Sequence, residues 1–162
     1  MKKILLIIVL FATAFLKFTF AQDSTINTKS QLPQLLNSYY NVKDALVTGN
    51  STMAAASARA FIKVANSIDY KVISEGNIHA LVTHAGAISE TTDLKKQREQ
   101  FASLSTNMIT LAKALKLGTQ PAYETYCPMK KASWLSESKA IKNPYYGSAM
   151  LTCGNVVDTI KH

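Results

Sequence analysis

Four segments in which apolar residues recur at three- and four-residue steps fill most of the chain between residues 32 and 117. This spacing places side chains on one face of an α-helix. The predicted buried stripes are Leu32, Leu35, Leu36, Tyr39, Val42 and Leu46; Ala54, Ala55, Ala58, Phe61, Ile62, Ala65 and Ile68; Ile78, Leu81, Val82, Ala85 and Ile88; and Leu94, Arg98, Phe101, Leu104, Met108, Ile109, Ala112 and Leu115. We find no alternating strand pattern. The sequence therefore predicts an all-α fold, an antiparallel four-helix bundle.

The ends of these helices also have sequence signals. Pro33 suits the first turn of the first helix, since its missing N–H is not needed there. Asn50 or Ser51 can cap the second helix, and Asp93 can cap the fourth. Gly118 is the expected stop of the fourth helix.

The first 21 residues have the composition of an export signal. Lys2 and Lys3 precede an apolar run, and small residues come just before the predicted cleavage site at Gln22. We therefore expect residues 1–21 to be a signal peptide, residues 22–30 a flexible lead and residues 31–162 a single helical domain. Removing the signal lowers the formal charge from +8 to +5, because it holds three lysines and no acid.

These features restrict location and partners. We expect a periplasmic or secreted protein that has no membrane insertion after signal cleavage, because no later segment is long and apolar enough to span a bilayer. The remaining positive charge is scattered, so nucleic acid is not an expected partner. Outside the cytoplasm, a pair of cysteines is more often bridged than free.

Residues 119–162 are predicted to form an irregular tail packed on the bundle. Within it we expect a loop over residues 119–126, one or two helical turns over residues 136–142 and a last short helix over residues 150–160. The tail contains both cysteines of the chain, in a C-x-M pair formed by Cys127 and Met129 and an M-x-x-C pair formed by Met150 and Cys153.

One interpretation of these pairs is a metal site. Thioethers beside thiolates favour a soft ion, above all Cu(I), whereas zinc sites rarely use methionine. The predicted ligands are Cys127, Met129, Met150 and Cys153. His84, beside a buried stripe, is a candidate for one further ligand, and Trp134 or Tyr126 could shield the ion.

The other interpretation is a disulfide between Cys127 and Cys153, with no metal and no cofactor. Such a bridge closes a loop of about 26 residues and would contribute roughly 3 to 4 kcal/mol by the chain-entropy estimate. It would fix the tail to the bundle, and the methionines would fill gaps beside it. The spacing alone leaves both interpretations open.

The same residues carry a family resemblance. The stretches YCPM, WLS with IKNPYYG, and MLTCG resemble the C-terminal signature of an uncharacterised family of exported bacterial helical domains. That family also occurs as a C-terminal extension of the adaptor subunits of CusB-like heavy-metal efflux pumps. The helices are similar more loosely, through the pattern L-x-x-Y-x-x-x-K-D-A-L of Leu36–Leu46 and R-x-x-F-x-x-L-S of Arg98–Ser105.

The resemblance implies a role in copper or silver handling. The cysteines and methionines match its signature, as do Tyr126, Pro128, Trp134 and Gly154. Asn143, Pro144, Tyr145 and Gly147 match it too, and a fixed turn that docks the tail explains these four without metal ligation. The CPM stretch is also similar to the Y-T-C-P-M-H-P element of heavy-metal binding domains, but Lys130 stands where that element has histidine.

We therefore predict an exported metal-binding module whose partner is a soft metal ion. The alternative is a disulfide-clasped structural or interaction domain whose partner is an envelope or efflux protein. An enzyme is not expected, because His79 and His84 are splayed on their helix and His162 lies at the terminus. That leaves no Ser-His-Asp or Cys-His arrangement.

Overall fold

A computed structural model of the chain describes residues 24–161, with side chains described from residue 31 onward. The described elements are α1 (Ser24–Val47), α2 (Ser51–Asn66), α3 (Glu75–Ser89), α4 (Leu94–Ala114), β1 (Ala122–Cys127), β2 (Ala132–Ser136), a 3-10 helix (Gly147–Met150) and β3 (Asn155–Ile160). Four helices are thus followed by three strands. The predicted all-α class is wrong, and the protein is mixed α/β.

The predicted helical stripes form the core. Leu35, Phe61, Leu81 and Phe101, one from each helix, are all at most 1 % exposed. Two helix caps predicted from the sequence are also present. The Asn50 side chain accepts from the Met53 N–H, and the Asp93 side chain accepts from the N–H groups of Lys95 and Lys96. These acceptors satisfy N–H groups that have no partner inside the helix.

The first helix is longer than the sequence indicates. It begins at Ser24, so residues 24–30 are helical and not a flexible lead, and Pro33 lies inside the helix instead of in its first turn. Polar residues of ordinary helix propensity can extend a helix whose later part is fixed by packing. The predicted signal peptide at residues 1–21 lies outside the described residues. No helix in the part of the chain that the structure describes is long and apolar enough to cross a membrane.

The three strands form one antiparallel sheet in the order β2-β1-β3. The segment of residues 119–126 predicted as a loop contains most of β1, and the segment of residues 150–160 predicted as a helix ends in β3. Residues 137–140 form bends and not helical turns. The strands have only five or six residues, and a bulge lies between Glu124 and Thr125. Short strands with broken alternation give little periodic signal, although β3 is rich in β-branched residues.

A line of aromatic rings joins the helices to the sheet. Tyr39 of α1 stacks on Phe101 of α4 with ring centroids 5.3 Å apart, and Tyr145 lies 5.9 Å from both Phe101 and Trp134. The Tyr39 hydroxyl also accepts the N–H of Leu135 at 3.1 Å. Because β2 is at the edge of the sheet, this N–H has no strand partner, and the tyrosine satisfies it. The sheet is therefore held firmly against α1 and α4.

A buried lysine holds the segment that follows β2. Lys43 of α1 is 1 % exposed, and its Nζ lies 2.6 Å from Glu137 Oε2 and 3.3 Å from Asp44 Oδ1. A buried ammonium needs such partners, because burial without them costs several kcal/mol by the order-of-magnitude estimate for ions. The pair fixes the end of β2 to the first helix.

Candidate dithiol site

Cys127 ends β1 and is completely buried. Residues 128–131 turn the chain into β2, with Cys127 opposite Ala132 in the ladder. Pro128 and Met129 are exposed in this turn, and Lys131 adopts a φ of 55°. The turn directs the N–H of Lys130 to Cys127 Sγ at 3.4 Å.

Cys153, near the other end of the tail, lies next to Cys127. It follows the 3-10 helix, and its N–H donates to the carbonyl of Met150 at 3.1 Å. Its Sγ lies 3.8 Å from Cys127 Sγ, both thiols are free, and Cys153 is half-buried. The cysteine sulfurs of the two motifs therefore converge, with one thiol inside the protein and the other at its surface.

The pKa of the Cys153 thiol is raised above its ordinary value of 9.0. Burial is the largest cause, and the hydrogen bond and charge of Cys127 act in the same direction, whereas a hydrogen bond from the Met129 backbone lowers the pKa. The thiol is therefore mostly protonated at neutral pH. A metal ion that binds the thiolate must displace this proton, so its binding would be pH-dependent.

The raised pKa leads to a prediction for thiol reactivity. Only the thiolate is nucleophilic. The substitution Cys127→Ala removes the hydrogen bond and the charge that help to raise the pKa of Cys153. We therefore expect alkylation of Cys153 by iodoacetamide to become faster at neutral pH. The pH profile of the rate should move to lower pH, as followed by mass spectrometry. An unchanged profile would show that the two thiols are not coupled.

Asn143 holds the backbone on which Cys153 sits. It is fully buried, and its Nδ2 donates to the carbonyl of Cys153 at 2.7 Å. Its N–H donates to the carbonyl of Leu151, and its Oδ1 accepts from the N–H of Tyr145. The Asn143–Pro144 bend is therefore a scaffold for the second cysteine and not a set of ligands.

Arg98 fixes this scaffold to the helices. The sequence did not indicate this role. Its Nε donates to the carbonyl of Pro144 at 3.0 Å, and its Nη2 donates to the carbonyl of Leu46, at the end of α1, at 3.1 Å. Gly147 has a φ of +57°, and a Cβ built on it would lie 2.7 Å from Arg98 Nη2 and 3.6 Å from the carbonyl oxygen of Leu46. The apolar periodicity placed Arg98 in a helical stripe, but its partners are more than 40 residues away.

Trp134 and Gly154 close the other side of the tail. Trp134 is 1 % exposed, and a Cβ built on Gly154 would lie 2.9 Å from its Cη2 and 3.1 Å from the carbonyl oxygen of Tyr126. Gly154 has a φ of +148°. A larger residue here would push the chain away from β1. Tyr126 pairs with Ser133 and Asn155, so it belongs to the sheet that positions the cysteines.

The methionines and His84 are placed differently from the cysteines. Met129 and Met150 are 62 % and 40 % exposed, so both side chains face solvent on the two segments that carry the thiols. His84 is on α3, which packs against α2 and α4, and its Nδ1 lies 3.1 Å from Gln100 Oε1. The described contacts of His84 are thus with Gln100, and its role as a further ligand stays a prediction.

Two thiolates at this separation fit one metal ion. Among the described residues, no group of three or more His, Cys, Asp or Glu side chains is placed to hold a metal. Two sulfurs on a metal at tetrahedral angles, with bonds of about 2.3 Å, lie about 3.8 Å apart. The observed separation of 3.8 Å agrees with that geometry. The exposed thioethers of Met129 and Met150 are the soft donors nearest to this pair in sequence.

The comparisons with known proteins bear on the helices. A family model described as "Protein of unknown function (DUF3347)" matches residues 35–120. No curated protein and no solved structure matches the chain. The matched region ends before β1, so it does not include either cysteine.

Proposed function

We propose that the dithiol binds one soft metal ion, Cu(I), and passes it on. The chain belongs to the DUF3347 family of proteins of unknown function. The protein would be a binding module and not an enzyme. The observation that carries this proposal is the approach of Cys127 Sγ and Cys153 Sγ to 3.8 Å with both thiols free.

Ligand chemistry supports Cu(I) over harder ions. Thiolates and thioethers select soft metals, whereas carboxylates and carbonyls suit magnesium and calcium. The backbone of Met129 also hydrogen-bonds Cys153 and acts against the burial and the neighbouring Cys127 that raise the pKa of this thiol.

The proposal also includes a location. Residues 1–21 have the composition of an export signal, and the tail resembles extensions of heavy-metal efflux adaptors. We propose that the protein acts outside the cytoplasm in copper or silver handling. In that compartment the dithiol has to be kept reduced, or be loaded with metal, to escape oxidation.

A competition titration tests the proposal. The reduced protein is titrated with Cu(I) against a coloured chelator, and we expect one ion to be captured per chain. Replacing Met129 and Met150 by leucine should weaken affinity by about tenfold or less, because leucine keeps the volume but removes a donor on the rim of the site. Met53→Leu is the matched control, since Met53 is also exposed but lies on α2. Failure of the wild-type protein to take Cu(I) from the chelator would contradict the proposal.

The same distance favours a second function. Two sulfurs 3.8 Å apart need only a small movement to reach the roughly 2.05 Å of a disulfide. In that case the protein would be a clasped interaction domain that docks an envelope or efflux protein. Alkylation of freshly isolated protein without reductant separates the two functions by mass spectrometry. A uniform bridge that resists mild reductant would favour the second function, and thiols protected by copper would favour the first.

A further inference from the structure

Exposed apolar side chains are concentrated around the dithiol. Among the described residues, six large apolar side chains are exposed: Met53, Tyr70, Met129, Met150, Leu151 and Val157. Three of them are on the two segments that carry the thiols, with Met129 in the β1–β2 turn and Met150 and Leu151 just before Cys153. Apolar surface grouped in this way is typical of a contact site for another molecule.

The same end of the molecule carries positive charge. Lys130 and Lys131 are in the turn with Met129, and residues 125–136 and 143–157 contain no acid. The nearest acids along the chain are Glu124, Glu137 and Asp158. Each pairs with a lysine outside the turn, Glu137 with Lys43 and the other two with Lys113. We call the surface of Met129, Lys130, Lys131, Met150 and Leu151 the thiol rim. It is apolar and basic.

The two thiols of the site differ in access. Cys127 is completely buried, whereas Cys153 is half-buried and follows the exposed residues Leu151 and Thr152. A partner that approaches across the thiol rim therefore reaches Cys153 first. Cys127 would be the thiolate that retains the ion inside the protein.

Resting on the proposed function, we infer that the thiol rim docks an acidic metal-carrier protein, which exchanges Cu(I) through Cys153. In the exchange, the two copper–sulfur bonds to the carrier break in turn as bonds to Cys153 and then Cys127 form. Each thiol that binds copper releases a proton, each released carrier thiolate takes one up, and copper stays Cu(I). The partner is acidic because its surface must complement Lys130 and Lys131. A second copy of this chain does not fit, because its own lysines would meet them.

Transfer kinetics test this inference. The probes are two synthetic Cys-x-x-Cys peptides loaded with Cu(I), identical except that one carries flanking aspartates and the other flanking lysines. We expect the acidic peptide to transfer Cu(I) to the reduced wild-type protein about tenfold faster at low ionic strength, and added salt should remove the difference. The double variant Lys130→Glu with Lys131→Glu should abolish or reverse the preference.

The double variant Lys95→Glu with Lys96→Glu is the control, because it makes the same change of charge at the exposed start of α4. It should keep the preference of the wild-type protein. Equal transfer from both peptides to a wild-type protein that does bind Cu(I) would overturn the docking surface and leave the proposed function intact. An equal loss in the control would overturn it as well, since the effect would be one of total charge. No capture of Cu(I) by the wild-type protein would remove both proposals.

Discussion

Replacing Gly147 by alanine is expected to lower the free energy of unfolding by about 3 kcal/mol, which is large against a typical total of about 5–15 kcal/mol. Gly147 has a φ of +57°, and a Cβ there would lie 2.7 Å from Arg98 Nη2 and 2.9 Å from the carbonyl oxygen of Val47. A left-handed conformation costs an alanine roughly 1–2 kcal/mol, and overpacking costs a further 1–3 kcal/mol. Urea unfolding followed by circular dichroism measures the change.

Gly86→Ala is the matched control for this substitution. Gly86 lies inside α3, and nothing lies within 4 Å of a Cβ built on it. Alanine is a better helix former, so the control should raise stability by about 0.5–1 kcal/mol. If Gly147→Ala left the unfolding midpoint unchanged, the docking of the tail on Arg98 and α1 would not be as described.

Replacing either cysteine by serine is expected to lower the affinity for Cu(I) by at least about a thousandfold, which corresponds to about 4 kcal/mol. Each variant leaves one thiolate where the site has two, and a serine hydroxyl is a hard, protonated group that does not replace a soft ligand. The same chelator competition measures the loss. We expect both variants to fold, because serine is close to cysteine in volume.

The two cysteine variants should differ in stability. Cys127→Ser places a hydroxyl at a completely buried position and should cost about 1–3 kcal/mol, whereas Cys153 is half-buried and its substitution should cost less. Single variants that both keep wild-type affinity for Cu(I) would show that the ion binds elsewhere in the protein.

The helices could be predicted from the sequence because their signal is local. The stripe that includes Leu35, Tyr39 and Leu46 repeats over several turns, and Asn50 and Asp93 are cap residues directly before their helices. The sheet could not be predicted in this way. Its strands have at most six residues, and a bulge interrupts the β1–β3 register, so no strict alternation develops.

The proximity of the two cysteines could be predicted from the sequence, but the contacts that bring them together could not. The mirrored cysteine and methionine pairs in one tail predicted that sulfur from both ends converges. The structure brings the sulfurs of Cys127 and Cys153 together through a hairpin turn and the Asn143 scaffold. The contacts of Arg98 and Tyr39 with this region span 46 or more residues of sequence, so no local pattern records them.

The methionines illustrate a second limit of prediction from the sequence, which concerns side-chain exposure. Their spacing from the cysteines suggested that the four residues supply up to four sulfur ligands, but spacing does not determine exposure. Met129 is in a tight turn, and Met150 ends a 3-10 helix, so both side chains project into solvent. The difference in exposure between the buried Cys127, the half-buried Cys153 and the exposed thioethers, on which the thiol rim depends, follows only from the folded chain.

X-ray absorption at the copper edge of the reduced protein, loaded with one equivalent of Cu(I), tests most directly whether the two thiols hold one soft ion. We predict a ligand shell that contains at least two sulfur atoms in the wild-type protein and that is lost in the Cys127→Ser, Cys153→Ser double variant. A shell of nitrogen and oxygen alone, or the same sulfur shell in the double variant, would contradict the assignment of the dithiol as the metal site.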